Sequence, residues 1–429
     1  MVELRRKKRA PGERRLGSVG RSRILVFLAL MGPGLITANA DNDAGGITTW
    51  SIAGARYGYS LLWVLLVITP ILAVTQEMGA RMGAVTGKGL AALIRERFSL
   101  KVTAFAMLAM LIANFGTTVA EFSGVAAGFG LFKVPAYVSV PLVSITVWLL
   151  VTRGSYWRVE KVFLVLCLIY ATYIVAGFLA HPDWGTALRA TVVPSVQGNT
   201  TWLITVIAAI GTTITPWGQF FIQASVADKR ISVRDFAYTK LEVFAGALIT
   251  DLVDFFIVIA CAATLFSQGV LVETAQDAAQ ALRPLAGEFA FILFGIGLLN
   301  VSMLAAGILP LATAYAICEA FGFESGLNHT FGEAPVFNGL LTFFIFVPAL
   351  VAMIPHLPLV HVMLLSQDVN GILLPIILIY VLKIINDRSI MGDHVNGRVY
   401  NGVAWTFSIA LIALTAVLIL STLPLPFLK

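Results

Sequence analysis

The stretch Asn39-Ala40-Asp41-Asn42-Asp43-Ala44-Gly45-Gly46 interrupts an otherwise apolar run over 24–56, and Thr215-Pro216-Trp217-Gly218-Gln219 interrupts another over 200–224. A helix needs roughly 20 apolar residues to cross a hydrocarbon core of about 30 Å. Both runs are that long, yet each carries Gly and polar residues at membrane depth, and the second carries Pro. Irregular backbone is tolerated there only where it lines a cavity or is buried in protein. In the first run the apolar approach from Ile24 to Ala38 gives way at Asn39, and Ile47 is expected to resume the helix. In the second, Ile207 to Ile214 leads into the break, and Phe220 is expected to resume it. Paired interruptions at matching positions of two halves point to a binding site at the interface of inverted repeats.

Working outward, similar apolar runs read as spans over 24–56, 59–82, 102–128, 135–152, 159–180, 200–224, 241–267, 287–318, 337–355, 359–385 and 402–422. Five spans separate the start of each interrupted unit, as two five-helix repeats plus an eleventh helix require. Only 12% of the 429 residues are charged, against roughly 25% in a soluble domain, which excludes a soluble fold. The connections are short, so 24–429 reads as a single transmembrane domain preceded by a basic segment, 1–23. With the N-terminus cytoplasmic, 24 of 29 basic residues fall inside, and only Arg56, Lys133, Arg189, Arg283 and Lys429 face out. That bias places the N-terminus in the cytoplasm and the C-terminus outside, in a multi-pass plasma (inner) membrane protein. Arg5, Arg6, Lys7, Lys8 and Arg9 lead a cluster in the first 23 residues; it reads as a topogenic segment near anionic lipid, not a nucleic-acid tail. Cys167, Cys261 and Cys318 match no metal or disulfide spacing and read as small core residues.

The chemistry of the breaks favours a cation. Free carbonyls of unwound backbone can replace water around a positive ion, and Asp41 and Asp43 add carboxylates where an unpartnered charge is costly. A kink with acids snorkelling to an interface is the plainer alternative. No Ser/His/Asp, zinc or paired-carboxylate arrangement appears, so the chain does not read as an enzyme and no cofactor or obligate protein partner is expected.

An ordered series of short motifs carries a resemblance to a known family. Gly32-Pro33-Gly34 precedes the first break and Tyr59-Ser60-Leu61-Leu62-Trp63 opens span two. Ala80-Arg81-Met82-Gly83 and Thr86-Gly87-Lys88 close that span. Ala120-Glu121 with Gly124, Ser366-Gln367, Met391-Gly392 and Val395-Asn396 follow in order. Over most of its length the chain resembles the natural-resistance-associated macrophage protein (NRAMP) family of divalent-metal transporters. The resemblance implies a LeuT-like fold of two inverted five-helix repeats plus an eleventh helix, with the first and sixth helices broken.

At the ion site the sequence departs from that family. The family's Asp-Pro-Gly-Asn becomes Asp43-Ala44-Gly45-Gly46, which keeps the Asp and loses the Asn. Its Met-Pro-His-Asn becomes Thr215-Pro216-Trp217-Gly218, which loses the sulfur and the His. The family's carbonyl ligand maps to Thr212, and its glutamine is Gln367; Thr118 stands where the family has an Asp, and Glu121 remains. Thioether suits transition ions, whereas carboxylate, carbonyl and water suit hard ones, and Mg²⁺ surrenders its waters reluctantly. The resemblance therefore implies a metal site of Asp43, Gly46, Thr212, Thr215, Gly218 and Gln367, with Mg²⁺ bound through part of its hydration shell and Mn²⁺ as a second substrate. This pattern resembles the NRAMP-related magnesium transporters.

Among the other polar residues, Asp41, Asn42, Glu121, Asp251, Asp254 and Asp368 are candidates for the pathway or for support of the site. Each also has a packing or salt-bridge reading. Asp251 and Asp254 share one helical face at i, i+3, and Trp217 reads as a wall of the pocket, since indole donates and cannot ligate. Competing functions are a proton-coupled Mn²⁺/Fe²⁺ transporter and a LeuT-fold symporter of organic solutes.

Overall fold

The computed structural model describes residues 42–153, 171–283, 287–326 and 329–422. Asp41, Cys167, the basic N-terminal segment and most of span five lie outside them. The described residues are helical throughout, with no strand. In chain order the helices are α1 (Ala44–Tyr57), α2 (Leu62–Thr86), α3 (Leu90–Arg97), α4 (Leu100–Leu131), α5 (Ala136–Arg153), α6 (Ala171–Leu179), α7 (Trp184–Val192) and α8 (Thr200–Thr213). They continue as α9 (Pro216–Asp228), α10 (Phe236–Thr264), α11 (Ala275–Ala279), α12 (Ala290–Phe321), α13 (Pro335–Ala352), α14 (Leu359–Ile385), α15 (Arg388–Met391) and α16 (Arg398–Thr422). Spans two to four and six to eleven each have a helix at the expected place; α1 is the second half of span one and α6 the end of span five. The chain is a multi-pass integral membrane protein.

Both helices resume earlier than the sequence reading. α1 resumes at Ala44, three residues before Ile47, and α9 resumes at Pro216, four before Phe220. Local chemistry accounts for both shifts. Asp43 is an N-cap whose side chain accepts from Gly46 N, and Thr215 is an N-cap accepting from Gly218 N. Asp and Thr are favoured caps because they satisfy amides that a helix start leaves orphaned. Pro at the first helical position has no amide to orphan and a preset φ. In the second span only Ile214 and Thr215 remain outside helix.

The packing shows the repeat. α1 lies along α10, where a Cβ on Gly54 would come within 2.8 Å of Val258 O and Cys261 Cβ. α9 lies along α2, where Gly79 abuts Ile222 and Gly83 abuts the Gln223 carbonyl. These are the contacts of span one with span seven and of span six with span two. Exchanging the two halves converts one pair into the other, as an inverted five-helix repeat demands. α4 runs through the middle against α12 and α14, with Asn114 Nδ2 donating to Thr313 Oγ1 at 2.7 Å. α8 and α14 cross at backbone contact: a Cβ on Gly211 would sit 2.3 Å from both Gln367 O and Gly371 N. That crossing brings the second break to the turn of α14 that carries Gln367.

Candidate functional site

The site is assembled on the first turn of α1. Asp43 Oδ1 accepts from Gly46 N at 2.6 Å, and Ala44 N donates across to Glu121 Oε2 of α4 at 3.3 Å. Two carboxylates from different helices thus share the positive end of the α1 dipole, which offsets part of their charge. Asp43 is 1% exposed and Glu121 0%. Asp43 Oδ2 and Glu121 Oε1 have no hydrogen-bond partner, so each acid keeps an oxygen free in a buried setting, where an unmatched group costs most.

Gln367 closes the other side. Its Nε2 donates to Asp43 Oδ1 at 3.5 Å, and its Oε1 accepts from Asn370 Nδ2 at 2.8 Å. Asn370 Nδ2 also donates to Thr117 Oγ1 of α4 at 3.0 Å, which fixes the amide of Gln367. Gln367 reaches this position because residue 45 is glycine: a Cβ there would lie 1.8 Å from Gln367 Nε2. Thr212 contributes from the end of α8. Pro216 has no N–H, so the i+4 donor for the Thr212 carbonyl is missing, and Thr212 Oγ1 is itself buried without a partner. The unpartnered side-chain atoms here are therefore oxygens: Asp43 Oδ2, Glu121 Oε1 and Thr212 Oγ1. Such a set suits a hard cation.

The structure sorts the candidate residues. It gathers Asp43, Gln367 and Glu121, and α8, which carries Thr212 near its end, packs on α1 and α14. Gly46 and Gly218 lie in helix and spend their amides on the caps, and Thr215 Oγ1 accepts from Gly218 N at 3.2 Å. Trp217 is fully buried against Phe221, Leu304 and Leu309, with its ring centroid 6.1 Å from that of Phe221. Asn42 Nδ2 reaches the Thr250 carbonyl of α10 at 3.4 Å, so the break is tied to the helix that carries Asp251 and Asp254. Those two acids are buried, at 4% and 2% exposure, on α10. Asp368 follows Gln367 on a different side of α14, half-buried, with Oδ1 unpartnered. Thr118 Oγ1 donates to the Asn114 carbonyl at 2.7 Å and holds no titratable group in place of the family's Asp.

Sequence reasoning missed Gly45 as the seat of Gln367 and Thr117 as its brace. The i, i+4 pair Thr117 and Glu121, and the i, i+3 pair Gln367 and Asn370, were the available signals. A cavity of about 370 Å³ opens beyond the site between α1 and α14, lined by Ile52, Arg56, Val360, His361 and Leu364. Thr48, whose hydroxyl contacts Met363 Sδ at 3.6 Å, stands between this cavity and Gln367.

An all-helical membrane bundle of two inverted five-helix repeats, with its first and sixth spans broken around buried oxygen donors, is a LeuT-like transporter fold. Residues 34–421 match the family described as natural resistance-associated macrophage protein-like, and the chain belongs to that family. It is 29% identical over 417 residues to the divalent metal cation transporter MntH of Deinococcus radiodurans, covering 94% of this chain and 91% of that one. It is 30% identical over 408 residues to the protein of the same name from Ralstonia nicotianae, covering 88% of each. In fold it is similar to a point mutant of the manganese transporter of Eremococcus coleocola, with TM-score 0.79, 21% identity, and 94% and 88% of the two chains covered. It is also similar to MhsT in complex with L-phenylalanine, at TM-score 0.60 and 15% identity, covering 94% of this chain and 99% of that one.

Proposed function

We propose that this protein is a secondary transporter that moves divalent cations by alternating access, with Mg²⁺ as principal substrate and Mn²⁺ as a second one. The observation that carries this is the oxygen-only set around Asp43, with Thr215 and Gly218 where the family has a thioether and an amide. Asp43 is the anionic contact and Gln367 the amide ligand. Thr212 supplies oxygen from α8, while Gly46 and Gly218 leave room for retained waters. Mg²⁺ prefers octahedral oxygen at about 2.0–2.1 Å and keeps several waters, so a pocket widened by glycine suits it. Asp41, Asn42, Glu121, Asp251, Asp254 and Asp368 line or support the route, and the basic segment keeps the N-terminus cytoplasmic with the C-terminus outside. Transport is uncoupled from protons or only weakly coupled, because a proton route needs a chain of titratable groups and Trp217 and Thr118 replace two of them.

One observation favours Mn²⁺ in first place: the relatives' names specify manganese or divalent metals. Flux assays in liposomes with Mg²⁺, Mn²⁺ and Ca²⁺ separate the readings. Mg²⁺ flux at or above that of Mn²⁺ supports the proposal, and flux of Mn²⁺ alone, accompanied by acidification, supports the other.

A further inference from the structure

The two broken spans restart differently. Asp43 and Thr215 are the N-caps, each accepting from the amide three residues on, but the first helical residue is Ala44 in one half and Pro216 in the other. Proline is favoured at that position, because its amide would have no partner inside the helix. The backbone at 43 would admit a proline at 44: φ −76° and ψ −178° lie in the extended region to which a following proline restricts a residue. Position 44 therefore keeps an N–H that the helix start does not need and that the family's Asp-Pro-Gly-Asn lacks.

That N–H has a use. Ala44 N donates to Glu121 Oε2 of α4, 77 residues away, at 3.3 Å. The helices come this close because α4 carries no side chain at 124, one turn beyond Glu121. A Cβ there would lie 2.5 Å from Ala44 Cβ and 2.3 Å from Ser302 Oγ of α12. Glu121 is thus held by one oxygen, and its Oε1 is buried without a partner. Ser302 Oγ, at the same corner, is buried without one as well. Buried acceptors that no protein donor reaches are places for bound water.

We propose that Ala44 is a positioning residue for the transported ion. Its N–H pins Glu121 at a standoff, so that Oε1 accepts from the waters the ion retains and does not replace one of them. This rests on the reading of the protein as a carrier of partly hydrated Mg²⁺. A carboxylate free to swing would close on the ion and strip its shell, and Mg²⁺ dehydrates reluctantly. Proline at 44 removes the donor and sets a ring carbon in its place, so Glu121 is released and the balance moves toward Mn²⁺. Residue 44 therefore sets selectivity through its backbone, with no side-chain atom on the ion.

The test compares KM for Mg²⁺ and for Mn²⁺ uptake into proteoliposomes of the full-length protein. Ala44→Pro should raise the Mg²⁺ KM about tenfold, the lower end for a hydrogen bond to a charged group, and raise that for Mn²⁺ less or not at all. Glu121→Asp keeps the charge but draws the carboxylate back from a bond already 3.3 Å long, so it should raise the Mg²⁺ KM in the same way. Because both variants break one contact, the double variant should be no worse than the worse single one. A wild-type Mg²⁺ KM in Ala44→Pro overturns the inference, as does an equal rise for both ions, which is what a loosened fold would give. Should Ala44→Pro fail to fold, a wild-type Mg²⁺ KM in Glu121→Asp overturns it alone. Wild-type protein that carries Mn²⁺ and no Mg²⁺ overturns the proposed substrate, and this inference falls with it.

Discussion

Gly45→Ala tests how the ion site is built, because the added methyl group falls where Gln367 now sits. A Cβ at 45 would be 1.8 Å from Gln367 Nε2 and 2.8 Å from its Cδ, far inside contact distance. The obstructed group is the end of a flexible side chain, so the bundle should still fold, at an overpacking cost of about 1–3 kcal/mol. Gln367 must then leave both Asp43 Oδ1 and Asn370 Nδ2, and the site loses the amide beside Asp43. Taking a hydrogen bond to a charged group, about 1.5–3 kcal/mol, as the scale for that amide's contact, affinity should fall about 10- to 150-fold. The assay is the concentration dependence of Mg²⁺ uptake into proteoliposomes. KM should rise by that factor, and Gln367→Ala should show a similar rise. The double variant should be no worse than either single one, since truncating Gln367 also frees the space that the alanine needs. A folded Gly45→Ala protein with wild-type KM would refute the placement of Gln367 in the ion site.

Two further predictions address coupling and selectivity. Internal pH, followed in proteoliposomes during Mg²⁺ uptake, should stay flat, because Thr118 and Trp217 break the titratable chain; acidification that scales with flux would contradict this. The triple variant Gly46→Asn, Thr215→Met, Gly218→Asn should raise the ratio of Mn²⁺ to Mg²⁺ transport, since sulfur and amide favour the softer ion. It should also lose about 1 kcal/mol of stability with the α9 cap. An active, folded triple variant with an unchanged ratio would show that selectivity is set elsewhere.

Much of this architecture was legible in the chain, for physical reasons. Continuous apolar runs announce membrane spans, and Gly, Pro and Asp inside two of them announce breaks, because lipid offers no partner for stray backbone groups. The caps were legible as well: Asp43 three residues before Gly46, and Thr215 followed by Pro216, are ordinary helix-start signals. They place the helix starts earlier than the apolar pattern alone does. What local sequence does not carry is contact between distant helices. The bond from Ala44 N to Glu121, 77 residues apart, depends on how α1 packs on α4. So do the seating of Gln367 against Gly45 and the Gly211–Gly371 crossing, for which any small residue would look equally suitable in sequence.

The central claim is that the charge of Asp43 holds the transported ion. Asp43→Asn is the sharpest probe, because Asn caps a helix about as well as Asp and therefore removes the charge while keeping the α1 start, whereas Asp43→Ala removes both. The measurement is Mg²⁺ flux in proteoliposomes made from Asp43→Asn protein that purifies as a monodisperse species of wild-type thermal stability. The account predicts that flux is lost, in Asp43→Asn as in Asp43→Ala. Wild-type Mg²⁺ flux through the Asn variant would contradict it.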